Sequence, residues 1–169
     1  RTGDRATSVD EFLAAFRGRL QALDSAQTAL VASDWHGASL TALVRAALEP
    51  YLGEGSRIDL DLRELTVKSE VAFTLTLALH ELATNAVKYG ALSSPTGRVT
   101  LTASVEADAT GEGLCLVWQE NQGPKVRPPE TAGFGTTILS RAIQYQHQGR
   151  TELIWRESGL LCRLHLPLS

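Results

Sequence analysis

The chain reads as an α+β protein: a two-layer α/β sandwich whose mixed, mostly antiparallel sheet is covered by helices on one face, preceded by one long N-terminal helix. Three observations predict this. Apolar residues recur at helical spacing in four segments and with period two in five others. The segments follow in the order α, α, β, α, β, β, α, β, β, which puts strands next to strands instead of alternating each with a helix. Short connections bearing Gly111 to Gly113 and Ser158-Gly159 join consecutive strands, so those pairs are expected as hairpins.

Each element has a local cause. Ser8-Val9-Asp10-Glu11 is a capping box, in which the serine oxygen serves a helical N–H and the glutamate reaches back. The helix it opens runs to about Ala32, with Phe12, Phe16, Leu20, Leu23 and Leu30 on one stripe, and such a stripe requires a partner helix. Ser33 to Gly37 breaks the period, and a second helix, about Ser39 to Tyr51, turns Leu40, Leu43, Val44, Ala47 and Leu48 inward. Beyond Gly53-Glu54-Gly55, Ile58, Leu60 and Leu62 alternate with Asp59 and Asp61, a strand with one wet face. A long helix is expected over Ser69 to Tyr89, and strands over Val99 to Val105, Leu114 to Trp118, Thr151 to Trp155 and Leu160 to Leu166. A last helix, about Thr136 to His147, separates the second and third of these strands.

Composition narrows the function. The length suits one domain, or one domain with an appendage, and 43% hydrophobic residues is too many for a disordered chain. Net charge is −3 and the basic residues are scattered, which argues against a nucleic-acid partner. No apolar run approaches the roughly 18 residues of a bilayer span, so no membrane insertion is expected. Cys115 and Cys162 sit inside predicted strands among apolar neighbours and read as small buried hydrophobes suited to a reducing cytoplasm. With neither a signal peptide nor an initiating Met, the chain is expected to be a piece of something longer.

The polar side of the long helix is the informative one. Leu75, Leu79, Leu82, Ala83, Ala86 and Val87 share the arc expected to pack on the sheet. Glu81, Thr84, Asn85, Lys88 and Tyr89 form a ridge on the opposite side, with His80 at its border. A solvated surface helix carries interchangeable Glu/Lys pairs, whereas this ridge centres on a single Asn. A nucleoside triphosphate with Mg²⁺ needs hard oxygen ligands and a cation for its phosphates, which Asn85 and Lys88 supply, while Glu81 is placed to orient or deprotonate a nucleophile.

Two further segments complete such a site. In "CLVWQENQGPKV" a strand ends at Trp118 and Glu120 follows beside Gly123, an arrangement suited to reading a purine amino group. In "TAGFGTTILSRAI" Gly133, Phe134, Gly135 and Thr136 open the last helix, where free N–H groups and the helix dipole face an anion.

Together these segments resemble the ATP-binding domain of sensor histidine kinases in the GHKL (Bergerat-fold) superfamily, specifically the HWE subfamily of bacterial two-component kinases. His80 in "LHELATNAVKYGALS" and Trp118 with Glu120 in "VWQE" carry the resemblance, and "FRGRLQAL" and "DWHGASLTALVRAALEPY" extend it over nearly the whole chain. It implies ATP and Mg²⁺ as cofactors. It also implies Asn85 as the metal ligand, and Glu81, His80 and Lys88 as catalytic residues. Nucleotide contacts are implied for Asn85, Tyr89, Glu120, Gly123, Gly133, Phe134, Gly135 and Thr136. The implied reaction moves the γ-phosphoryl group to a histidine and then to an aspartate of a response regulator protein, in a cytoplasmic kinase that is a homodimer at full length. Where the subfamily usually shows paired glycines after the acidic residue, this chain has Gln122-Gly123.

The phosphoacceptor histidine of these kinases lies on a helix preceding the one that starts at Ser8, in a His-Arg-Val-Lys-Asn-like stretch that this sequence does not contain. His36 lies in the break after the first helix, His147 near a helix end where a cation suits the dipole, and His165 on the outward side of a strand. The expectation is therefore a remnant of the dimerisation and phosphotransfer domain over residues 1–33, its second helix, and an ATP-binding catalytic domain over 34–169. Such a fragment should bind nucleotide without phosphorylating itself, with Pro124 to Ala132 as a short lid. Two other readings stay open: a dimerisation or partner-docking scaffold that has lost nucleotide, and an ATPase or anti-sigma-type serine kinase on the same fold.

Overall fold

The computed structural model describes residues 37–108, 111–125 and 140–168. The helix expected from Ser8, His36, the glycine box at Gly133 to Thr136 and all but the first two residues of the expected lid lie outside the described residues. In chain order the elements are β1 (Ala38–Ser39), α1 (Leu40–Leu48), β2 (Ile58–Leu62), β3 (Thr66–Val67), α2 (Ser69–Lys88), β4 (Arg98–Asp108), β5 (Gly111–Asn121), β6 (Arg150–Arg156) and β7 (Gly159–Pro167).

Five strands form one sheet in the order β2-β4-β5-β7-β6. β2 runs parallel to β4, Ile58 opposite Val99, because the connection between them carries a whole helix back across one face. The other pairs are antiparallel hairpins or their neighbours. α2 lies against this sheet and α1 against α2. Leu40, Leu43, Val44, Ala47 and Leu48 of α1 are all buried, as their spacing predicts, each worth about 1.5–3 kcal/mol for the larger side chains. Ser39 starts α1 by accepting from the Ala42 N–H at 3.2 Å.

Several expectations need correction. The second helix ends at Leu48, and Glu49–Tyr51 tightens into a 3₁₀ turn because Pro50 cannot continue an α-helix. Gly111 and Gly113 belong to strand β5 rather than to a turn: they pair with Asp108 and Glu106 of β4, and a Cβ on Gly113 would run into the His165 imidazole. Val87, assigned to the packed arc of the long helix, is 44% exposed, since the arc leaves the sheet in the last turn. The described part of the last helix, residues 140–147, contains a π-helical turn at Ala142–Gln146 that buries Ile143. His147 there is more than a cation at a helix end. Its Nε2 lies 2.8 Å from the Thr74 hydroxyl of α2, and burial lowers its pKa. Both cysteines are free and buried, as expected. Among the described residues no helix is long and apolar enough to cross a membrane.

Candidate functional site

The helical period brings Glu81 and Asn85 together, one turn apart on α2. They line a cleft of about 20 Å³ whose far wall is Ser140, Thr151, Leu153 and Cys162. That is room for about one water or a metal ion, not for a nucleotide. Glu81, Asn85, His80 and Thr84 are half-buried, while Lys88 and Tyr89 stand exposed, Tyr89 at 71%. Ser140, which lines this cleft, follows Thr136 by four residues in the sequence.

The donor set suits Mg²⁺. A carboxylate and a carboxamide are hard oxygen ligands, and Mg²⁺ takes only one or two protein ligands, keeping water and phosphate for the rest. Among the described residues no group of three or more His, Cys, Asp or Glu could enclose a metal by itself, so the ion would depend on ligand oxygens. In the same wall, Thr151 Oγ1 is buried with no hydrogen-bond partner among the described residues, a polar atom still available to water or ligand.

Glu120 occupies a different place from the ridge. It lies at the end of β5, 2% exposed, inside the wall of the domain. Its Oε2 accepts from the Ala91 N–H at 2.8 Å and its Oε1 from the Trp118 indole Nε1–H at 3.2 Å. Burial pushes this carboxyl above its ordinary value, while the Ala91 and Trp118 hydrogen bonds favour the charged form and pull it back. Glycines make room for the knot. A Cβ on Gly90 would lie 2.9 Å from both the Glu120 carboxyl carbon and the Ala86 Cα, and closer still to Oε2. A Cβ on Gly123 would come within 2.5 Å of the Ala91 Cα. Gln122 holds the turn between Asn121 and Gly123 with φ 58°, the left-handed conformation that glycine adopts at no cost.

The spacing of residues gave no hint of Arg57. Its guanidinium donates to the carbonyls of Leu92 at 2.9 Å, Gly97 at 3.1 Å and Ser94, all in the connector that follows α2. Glu120 thus holds the Ala91 amide of that connector and Arg57 three of its carbonyls. A lone arginine before a strand, about 40 residues from its partners, carries no periodic signal. The Trp118–Glu120 contact was readable, because residues two apart on a strand share a face.

A model described as HWE histidine kinase matches residues 1–62. A blue-light-activated histidine kinase of Brucella ovis is 34% identical over 155 residues, covering 91% of this chain and 32% of the relative. A protein of the same name from Rhizobium johnstonii is 35% identical over 168 residues, covering 96% and 47%. The chain therefore spans less than half the length of these curated relatives. The fold is similar to the histidine kinase domain of the blue-light activated histidine kinase of Erythrobacter litoralis, with a TM-score of 0.73 at 18% identity over 97% of this chain and 79% of that one. It is also similar to the histidine kinase domain of the E. coli osmosensor EnvZ, with a TM-score of 0.55 at 20% identity over 80% and 89%.

Proposed function

The chain belongs to the HWE histidine kinases and has the fold of their catalytic domains, and on that footing we propose that residues 34–169 bind ATP with Mg²⁺ as the catalytic domain of a two-component kinase. One observation carries the reading: α2 presents Glu81 and Asn85 one turn apart in a cleft that Ser140, four residues after Thr136 in the sequence, also lines. Bound Mg²⁺ supplies charge neutralisation at the phosphate oxygens. Asn85 holds the ion through its carboxamide oxygen. Glu81, oriented by His80, takes up the proton of the attacking imidazole or orients that ring. Lys88, exposed one turn beyond Asn85, meets phosphate oxygens, and Gly133, Phe134, Gly135 and Thr136 offer backbone N–H groups to them. Tyr89 offers an exposed ring to the base. Glu120 accepts from the purine amino group with the lone pairs that Trp118 and Ala91 leave over, and Gly123 keeps that end free of side-chain atoms.

For the whole protein, the acceptor imidazole comes from outside these residues, from the dimerisation and phosphotransfer domain to which we assign residues 1–33. A cytoplasmic homodimer would then pass the phosphoryl group to a response regulator. Titration calorimetry with a non-hydrolysable ATP analogue tests the nucleotide reading. Binding should require Mg²⁺ and be lost in Asn85→Ala with the fold intact. Metal-independent binding, or equal affinity in Asn85→Ala, would refute it.

A further inference from the structure

We propose that Trp118 is a positioning residue for this site: its indole N–H holds the Glu120 carboxylate in the orientation that ties the end of β5 to the turn closing α2. The proposal rests on the nucleotide reading above, and the motif's spacing is what makes it possible. Residues 118 and 120 point to the same face of β5, and there both side chains are buried, Trp118 at 1% exposure. A tryptophan so placed must satisfy its N–H, and Glu120 Oε1 is the acceptor. With that oxygen held, Oε2 is turned to the Ala91 amide, the first after Gly90. Asn85, Tyr89 and Gly90 immediately precede this joint, and the Tyr89 and Gly90 N–H groups both bond the Asn85 carbonyl. The indole is therefore linked through two hydrogen bonds to the backbone that carries the ridge's last residues.

Nothing else competes for the carboxylate among the described residues. From β5 it meets the indole. From the turn after α2 it meets the Ala91 N–H and the bare Gly90. The start of β7 adds only Gly159, and a Cβ there would strike the Glu120 backbone. Burial raises its pKa, and the hydrogen bonds from Ala91 and Trp118 lower it. Among the described residues these two donors are what resists protonation of a buried acid, so a phenylalanine at 118 keeps an aromatic ring in the core, though a smaller one, and surrenders half of that hold. A purely packing tryptophan would not have this consequence. Orientation fixed before the nucleotide arrives spares the ordering cost on binding.

The test uses the 169-residue chain. In the wild type the Trp118 indole ¹⁵N–¹H resonance is expected at a position typical of a bond to an anion, and it should move when Glu120→Gln replaces the carboxylate by a neutral amide. Trp118→Phe should bind the Mg²⁺–ATP analogue about tenfold more weakly at pH 7, the scale of one lost hydrogen bond to a charged group. The acid limb of its binding profile should lie at higher pH than in the wild type, and Glu120→Gln should lack that limb. An indole resonance indifferent to Glu120→Gln would overturn the proposal, as would a Trp118→Phe profile superimposable on the wild type. The indole comparison requires no tryptophan variant to fold. If the wild type binds no nucleotide, the site reading fails separately, with the Trp118–Glu120 bond still measured.

Discussion

Replacing Gly90 by alanine tests the knot at the end of α2 directly. Gly90 has φ −103° and ψ −153°, a backbone that any residue adopts, so conformational freedom does not explain it. Space does. The new Cβ would sit 2.9 Å from the Ala86 Cα, which is helix backbone, and 2.9 Å from the carboxyl carbon of a side chain held by two donors. One of two things must yield. If the carboxylate leaves the Ala91 N–H, a charge-assisted hydrogen bond worth about 1.5–3 kcal/mol is lost. If the turn lifts off α2, overpacking costs about 1–3 kcal/mol. If each yields in part, Gly90→Ala should destabilise the domain by about 1–3 kcal/mol, a sizeable share of the roughly 5–15 kcal/mol that holds a domain together. Urea denaturation followed by far-UV circular dichroism measures it, with Gly53→Ala as the control. A Cβ at Gly53 meets nothing within 4 Å, so that change should be neutral or stabilising by up to about 1 kcal/mol. If the two variants unfold within about 1 kcal/mol of each other, the packing account of Gly90 is wrong.

Two further predictions concern the same end of the domain. Gln122→Gly should stabilise it by about 0.5–1 kcal/mol, the left-handed penalty at φ 58° less the extra unfolded-state entropy of glycine; a loss of stability would show that the Gln122 side chain contributes more than its backbone costs. The Glu120 carboxyl is raised by burial, so between the ordinary carboxylate range and its folded value the native chain keeps a proton that the unfolded chain has released. Stability should therefore fall as pH rises through that window, and Glu120→Gln should remove the slope. His147, lowered by burial, gives the opposite slope just below the ordinary imidazole range, and that slope should survive in Glu120→Gln. Urea midpoints taken from pH 4 to 8 for both proteins check this, and identical curves would contradict it.

Much of the architecture was legible because period and burial coincide. The five inward residues of α1, the alternation of β2 and the span of α2 follow from spacing alone. What escaped has physical reasons. β1 and β3 are two residues each, too short for any periodic signal, and exist because Ala38 and Val67 pair across a tertiary contact. Gly111 and Gly113 carry a turn's composition, yet Gly113 is there to accept an imidazole over the strand. The ridge was readable as a set, since Glu81 and Asn85 are one turn apart, but only the fold separates the half-buried pair from exposed Lys88 and Tyr89. At Glu120 the residue and its indole neighbour two positions back on the strand were legible and its backbone partner was not, because the Ala91 amide lies 29 residues earlier in the chain.

Replacing Mg²⁺ by paramagnetic Mn²⁺ with the ATP analogue on ¹⁵N-labelled protein locates the metal most directly. The amide resonances around Glu81, Asn85 and Ser140 should broaden first, with those of Asp59 and Asp61 on β2, at the opposite edge of the sheet from β6, left sharp. Broadening centred away from Asn85, or none that depends on nucleotide, would contradict the assignment of this ridge as the metal–phosphate end of the site.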